Sequence, residues 1–89
     1  MGSPNVTLYV TGWCPYCTRA RALLDRKGVA YTAIDIESAA GLRDEMMAKA
    51  AGRRSVPQIF IGDHHVGGCD DLHALEAAGS LDSLLGLNS

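Results

Sequence analysis

The sequence predicts an α/β domain in which helices flank a four-stranded mixed sheet. Two observations carry this. A strand-like run at Asn5–Thr11, a helical run at Pro15–Lys27 and a second strand-like run at Ala30–Ile36 follow one another, and strand-helix-strand over about 30 residues is the unit of a right-handed parallel crossover. Further on, the short apolar runs Gln58–Ile61 and His64–Val66 are separated only by Gly62-Asp63, a pair suited to a tight antiparallel hairpin. At 89 residues the chain is one small domain with a core only just adequate alone. Residues 5–89 are expected to form it, and residues 1–4 a tail, with Met1-Gly2-Ser3 of the kind that expression leaves behind.

Each element has its own reason. Val6, Leu8 and Val10 alternate with Tyr9, so the first strand has apolar residues on both faces and should be buried on both. From Pro15 to Lys27 the residues Cys17, Ala20, Leu23 and Leu24 recur at helical spacing, and Gly28 ends the run. The β-branched and aromatic character of Ala30–Ile36 predicts a second strand, parallel and adjacent to the first. After a connection at Glu37–Gly41, Leu42, Met46, Met47 and Ala50 trace a second helix ending at Gly52. Its methionine pair is core filling, since Met packs irregular gaps. Gly67-Gly68 closes the hairpin, Asp70 or Asp71 caps a third helix with Leu72 and Leu75 on its apolar face, and Gly79 ends it. Ser80 then caps a last short turn carrying Leu81, Leu84 and Leu85.

Composition narrows the partners. Eight Lys and Arg against ten Asp and Glu give a net charge of −2, which supplies no electrostatic reason to expect nucleic acid or an anionic membrane. No charged start leads into an apolar stretch, and no run reaches the roughly 18 apolar residues of a membrane span. Three cysteines are an odd number and are not spread like a disulfide framework, so a reducing compartment, the cytoplasm, is expected.

The chemistry concentrates at Trp13-Cys14-Pro15-Tyr16-Cys17, a C-x-x-C between the first strand and its helix. Cys14 should sit at or just before the first helical residue, with Pro15 at the favoured first-turn position. Helix N–H groups and the positive end of the dipole then favour thiolate, lowering the Cys14 pKa below the usual value of about 8.5. Cys17 should be more buried and less reactive. Elsewhere, Pro57 opens an otherwise good strand, which suggests an edge, a strand start or a cis bond. Gly67-Gly68 lets backbone approach a ligand, and the start of the third helix offers N–H groups to a carboxylate.

With these pieces in place the chain resembles a dithiol glutaredoxin of the CPYC type, with a thioredoxin-like fold. Cys14-Pro15-Tyr16-Cys17, Ser55-Val56-Pro57-Gln58-Ile59-Phe60-Ile61 and Gly67-Gly68-Cys69-Asp70-Asp71-Leu72 fall in family order. The resemblance implies a sheet of order 2-1-3-4, a cis Val56-Pro57 bond, Cys14 and Cys17 as catalytic cysteines, and no metal. It implies glutathione as reductant and co-substrate, held by Tyr16, Arg43, Val56, Pro57, Gly68, Cys69, Asp70 and Asp71. Substrates would be glutathionylated proteins, attacked by Cys14, and protein disulfides, for which Cys17 resolves the mixed disulfide. A monomer without nucleic-acid or membrane partners is expected. Arg43 falls where similar proteins often carry a basic residue for the glycyl carboxylate; the plainer alternative is that Arg43, Arg53 and Arg54 are each a solvated charge.

Two departures stand out. Many members carry Lys where this chain has Thr11, so one charge near the thiol is missing. Trp13 either shapes a docking surface or packs partly against the sheet. Cys69 is read as a small hydrophobe beside the ligand site. The rival readings are a glutathione-independent, thioredoxin-like electron donor, zinc on Cys14, Cys17, Cys69 and one of His64, His65 or His73, and an iron–sulfur cluster shared between two chains, with which Pro15 is the variant least associated.

Overall fold

The computed structural model describes residues 4–87, so all of the expected tail but Pro4 lies outside the described residues. In chain order the elements are β1 (Val6–Val10), α1 (Pro15–Lys27), β2 (Thr32–Asp35), α2 (Leu42–Lys49), β3 (Gln58–Ile61), β4 (His64–Gly67), α3 (Cys69–Ala77) and α4 (Leu81–Leu85). The sheet has the order β2-β1-β3-β4. β1 runs parallel to β2 and antiparallel to β3, and β3 pairs antiparallel with β4. This is the thioredoxin-like mixed sheet that the motifs imply.

The two-residue period of β1 sorts the core into two layers. Val6, Leu8 and Val10 join Ile59 and Ile61 of β3 against Leu23 and Leu24 of α1, Leu72 of α3, and Leu81 and Leu85 of α4. Tyr9 faces the other way, into a smaller cluster with Ile36 and Met46, against which Phe60 packs. Helices α1, α3 and α4 therefore cover one face and α2 the other. Met46 is fully buried among apolar groups, as expected of a gap filler.

Helix α1 has the predicted bounds because both ends are chemically marked. Cys14 is its N-cap in extended backbone, Pro15 follows, and Gly28 closes it in the left-handed conformation with its N–H on the Leu24 and Asp25 carbonyls. Lys27, in the last turn, pairs with Glu76 at 2.7 Å and Asp82 at 2.8 Å, tying this end to α3 and α4.

Other expectations shift. β2 is shorter than Ala30–Ile36 and mostly exposed, because it is an edge strand with β1 as its one strand partner among the described residues; Ile36 adds one more bond, from its N–H to the Val10 carbonyl at 3.0 Å. The hairpin turns at Gly62-Asp63 as expected, with positive φ at Gly62 alone of the two, the pattern of a type II′ turn. Neither Asp70 nor Asp71 is the N-cap of α3. That position is Gly68, since the helix begins two to three residues earlier than an acidic cap would require. Ser80 occupies the N-cap of α4, but its side chain makes no capping bond.

Leu72 is fully buried and couples α3 to the sheet. Leu72→Ala is expected to lower stability by about 2–5 kcal/mol, the usual cost of truncating a buried leucine, read as a lower urea midpoint with an unchanged slope.

Candidate active site

The N-cap geometry of Cys14 sets the site. Its Sγ accepts the Cys17 N–H at 3.4 Å and donates to the Val56 carbonyl at 3.6 Å. A thiolate at this position keeps the helix N–H and lies at the positive end of the helix dipole. Both cysteines are free thiols. Burial does not separate them as the sequence suggested, for Cys14 is 5% exposed and Cys17 2%. Protonation does set Cys17 apart: burial, reinforced by the Cys14 sulfur beside it and opposed by the Thr11 backbone, pushes its thiol up to about 11. Cys17 therefore stays protonated at neutral pH.

Next to this sulfur lies a cavity of about 310 Å³, lined by Tyr16, Arg53, Ser55, Val56, Pro57, Gly68, Cys69, Asp70 and Asp71. The Val56–Pro57 bond is cis. Seven residues expected at a ligand site are thus brought together: Tyr16 from α1, Val56 and Pro57 from the loop before β3, and Gly68, Cys69, Asp70 and Asp71 from the start of α3. Arg43 is not among them. It sits in the first turn of α2, where its Nη1 donates to the Arg54 carbonyl at 3.4 Å. Arg53 takes the place instead, because Ala51 and Gly52, both with positive φ, turn the chain after α2 so that Arg53 enters the cavity wall.

Arg53 and Asp71 form the cavity's charged corner. Asp71 accepts the Gly68 N–H at 2.8 Å and the Arg53 Nη1 at 3.3 Å. The Gly68 N–H first, and then Arg53, hold its carboxyl below the usual carboxylate range, with partial burial acting in the opposite direction. Gly67 makes this corner possible: with φ +115°, a Cβ there would collide with the Asp71 carboxylate and lie 2.8 Å from the Arg53 Nη1. Its role is therefore internal packing as well as any approach of a ligand. The Asp70 side chain, by contrast, makes no hydrogen bond or ion pair among the described residues. Cys69 is buried in the cavity wall with its Sγ 3.5 Å from the His73 Nδ1. Burial, with Asp70 and Cys14 nearby and Arg19 opposing, raises its pKa.

Gln58 escaped sequence reasoning, although a polar residue heading the apolar run Gln58-Ile59-Phe60-Ile61 was a visible signal. It is fully buried. Its Nε2 donates to the Ser55 carbonyl at 2.9 Å and the Ser55 Oγ at 3.2 Å, and its Oε1 lies 2.7 Å from the His65 Nε2. The amide braces the loop that carries Val56 and Pro57, while the His65 ring stacks on Phe60. Thr11 is also buried, so position 11 is not the solvent-facing place that a cation would favour. Among the described residues no three His, Cys, Asp or Glu side chains gather as a metal's ligand set, and no helix is long and apolar enough to cross a membrane.

A dithiol at a helix start beside a polar cavity defines a thiol–disulfide exchange site. The glutaredoxin family model matches residues 6–66, and the chain belongs to the glutaredoxin family, an enzyme class of glutathione-dependent thiol–disulfide oxidoreductases. It is 58% identical to a glutaredoxin of Pseudomonas aeruginosa over 82 residues, covering 92% of this chain and 96% of that one. It is 54% identical over 81 residues to glutaredoxin 3 of Escherichia coli K12, covering 91% and 96%. The crystal structure of a buckwheat glutaredoxin–glutathione complex superposes with a TM-score of 0.84 at 30% identity, covering 94% of this chain and 77% of that one.

The Asp71 corner has an acid signature. A depressed carboxyl contributes stability that is complete above its ordinary pKa near 3.8; as pH falls, the unfolded chain takes the proton first, and the contribution is lost through the lower folded-state pKa. Wild type should therefore lose more stability than Asp71→Asn between about pH 4.5 and 2, measured by urea unfolding at each pH. Parallel pH profiles would show that Asp71 titrates as if free.

Proposed function

We propose that this enzyme reduces protein–glutathione mixed disulfides through Cys14 alone and protein disulfides through Cys14 and Cys17 together. The observation that carries the reading is the Cys14 sulfur at the start of α1, bonded to Val56 in the wall of a cavity with charges of both signs. The Cys14 thiolate attacks the glutathione sulfur of the mixed disulfide. A new Cys14–glutathione S–S bond forms as the substrate S–S bond breaks, and the substrate cysteine leaves as thiolate and takes a proton from solvent. A second glutathione, as thiolate, then attacks the bound glutathione's sulfur, releasing the Cys14 thiolate and oxidised glutathione. On a protein disulfide, Cys14 forms a mixed disulfide with the substrate, and Cys17, losing its proton, closes the Cys14–Cys17 bond and expels the second substrate thiolate.

The chain's groups match glutathione by charge. The N–H groups opening α3 suit the γ-glutamyl carboxylate, Asp70 suits its ammonium, and Arg53 suits the glycyl carboxylate. Val56 offers its backbone and Tyr16 a ring along the peptide. The complex of the buckwheat relative with glutathione supports this choice of co-substrate. A cytoplasmic monomer is the expected working form, since exchange with glutathione needs a reducing compartment.

The test is a pair of variants. Cys14→Ser is expected to abolish exchange on both substrate types, whereas Cys17→Ser keeps reduction of a glutathionylated peptide and loses reduction of a protein disulfide. Equal loss in the two variants on the glutathionylated peptide would refute the Cys14-only route. Iodoacetamide at pH 7 on the reduced protein should label Cys14 well before Cys17, because the Cys17 thiol titrates at about 11; mass mapping of the alkylated peptides reads the order.

A further inference from the structure

We propose that Trp13 is a specificity-determining residue: its exposed indole forms a shelf that binds the protein half of the disulfide and favours substrates with apolar or aromatic residues beside the reacting cysteine. The inference rests on Cys14 acting as nucleophile toward glutathione mixed disulfides. Among the described residues three large apolar side chains are exposed, Trp13 at 71%, Tyr16 at 52% and Leu87 at 41%. Two of the three flank Cys14, one residue before it and two after. Leu87 closes the described chain, where exposure is ordinary.

Nothing in the fold accounts for the Trp13 ring. It joins neither core cluster, makes no ring contact, and its Nε1–H has no partner among the described residues. The turn before it is open too, since a Cβ added to Gly12 would meet nothing within 4 Å. An indole left in water with an unused donor is a surface suited to a partner with both apolar area and backbone carbonyls.

The geometry says which partner. Tyr16 lines the cavity on one side of the reacting sulfur, and Trp13 does not. A mixed disulfide at Cys14 has two halves. If the cavity takes the glutathione half, the protein half must leave over surface outside it, and Trp13, adjacent in sequence to Cys14, is the exposed large apolar side chain beside the thiol that the cavity does not use. The segment next to the substrate cysteine therefore meets an uncharged ring, so apolar contact rather than charge selects it.

The experiment compares wild type, Trp13→Ala and Trp13→Phe on three disulfides: the mixed disulfide of glutathione with 2-mercaptoethanol, a glutathionylated peptide with Ser on each side of its Cys, and the same peptide with Leu and Phe there. Wild type should favour the apolar peptide by about three- to tenfold in kcat/KM, the size of one aromatic contact. Trp13→Ala should lose that preference while keeping its rate on the other two within about twofold, and Trp13→Phe should regain most of it. An equal fall on all three would show that Trp13 acts on the thiol or the fold, and no fall on any would show that nothing docks on it; either overturns the proposal. Inactivity of wild type on every glutathione disulfide would instead sink the exchange reading beneath it.

A second readout needs no turnover. Trp13 is the only tryptophan, so emission reports on it directly. In Cys17→Ser trapped as a mixed disulfide with the peptide, emission should shift to the blue for the apolar peptide and not for the serine one. An unchanged spectrum in both overturns the proposal, as does a blue shift of the protein alone with rising concentration, which would assign the shelf to a second copy of the chain.

Discussion

The sulfur of Cys14 is held at the N-cap of α1, and the rest of the structure is arranged around that constraint. A cap must have extended backbone while the residue after it enters the helix. Pro15 supplies the second condition with its fixed φ. The cap can keep its place only if α1 cannot slide, and three features prevent that: Leu23 and Leu24 are buried against the sheet, Gly28 closes the far end, and Lys27 is pinned by Glu76 and Asp82. From the other side, the buried Gln58 amide braces the loop whose Val56 carbonyl meets the sulfur. The Cys14 sulfur is thus fixed by two elements that meet at one end of the β1–β3 pair, where Tyr9 faces Gln58, a rigidity that favours a single reactive geometry.

Much of this was legible because it rests on local chemistry. The bounds of α1 follow from Pro15 and Gly28, the hairpin from Gly62-Asp63, and the two core layers from alternation along β1. The cis Val56–Pro57 bond was not legible in the residues themselves, which left three options; only the family motif selected it. What the sequence hid depends on long-range placement. Arg43 and Arg53 look alike in a row of letters, and the choice between them is made by the left-handed pair Ala51 and Gly52, of which Ala51 carries no sign of its conformation. Asp70 and Asp71 read as caps because acidic residues commonly are, whereas Gly68 holds the cap and Asp71 bonds back to its N–H. Thr11 stood out in the sequence only as the place of a missing charge, and its burial comes from the packing around β1.

The corner built by Gly67, Asp71 and Arg53 also sets the electrical character of the cavity. Arg53 is shared with Asp71 at 3.3 Å, so a ligand carboxylate meets a cation already half neutralised, and Asp70 adds a further negative charge. Long-range attraction for an anion is therefore weak, which agrees with the chain's net charge of −2. Selectivity has to come from short contacts that see both ends of a zwitterion, where hydrogen-bond geometry matters more than field strength. A ligand carboxylate that competes with Asp71 for Arg53 would leave the Gly68 N–H bond intact, so the start of α3 keeps its shape as ligands come and go. An enzyme that must release glutathione in each cycle gains from such a site, since a deeper electrostatic well would hold its product as firmly as its substrate.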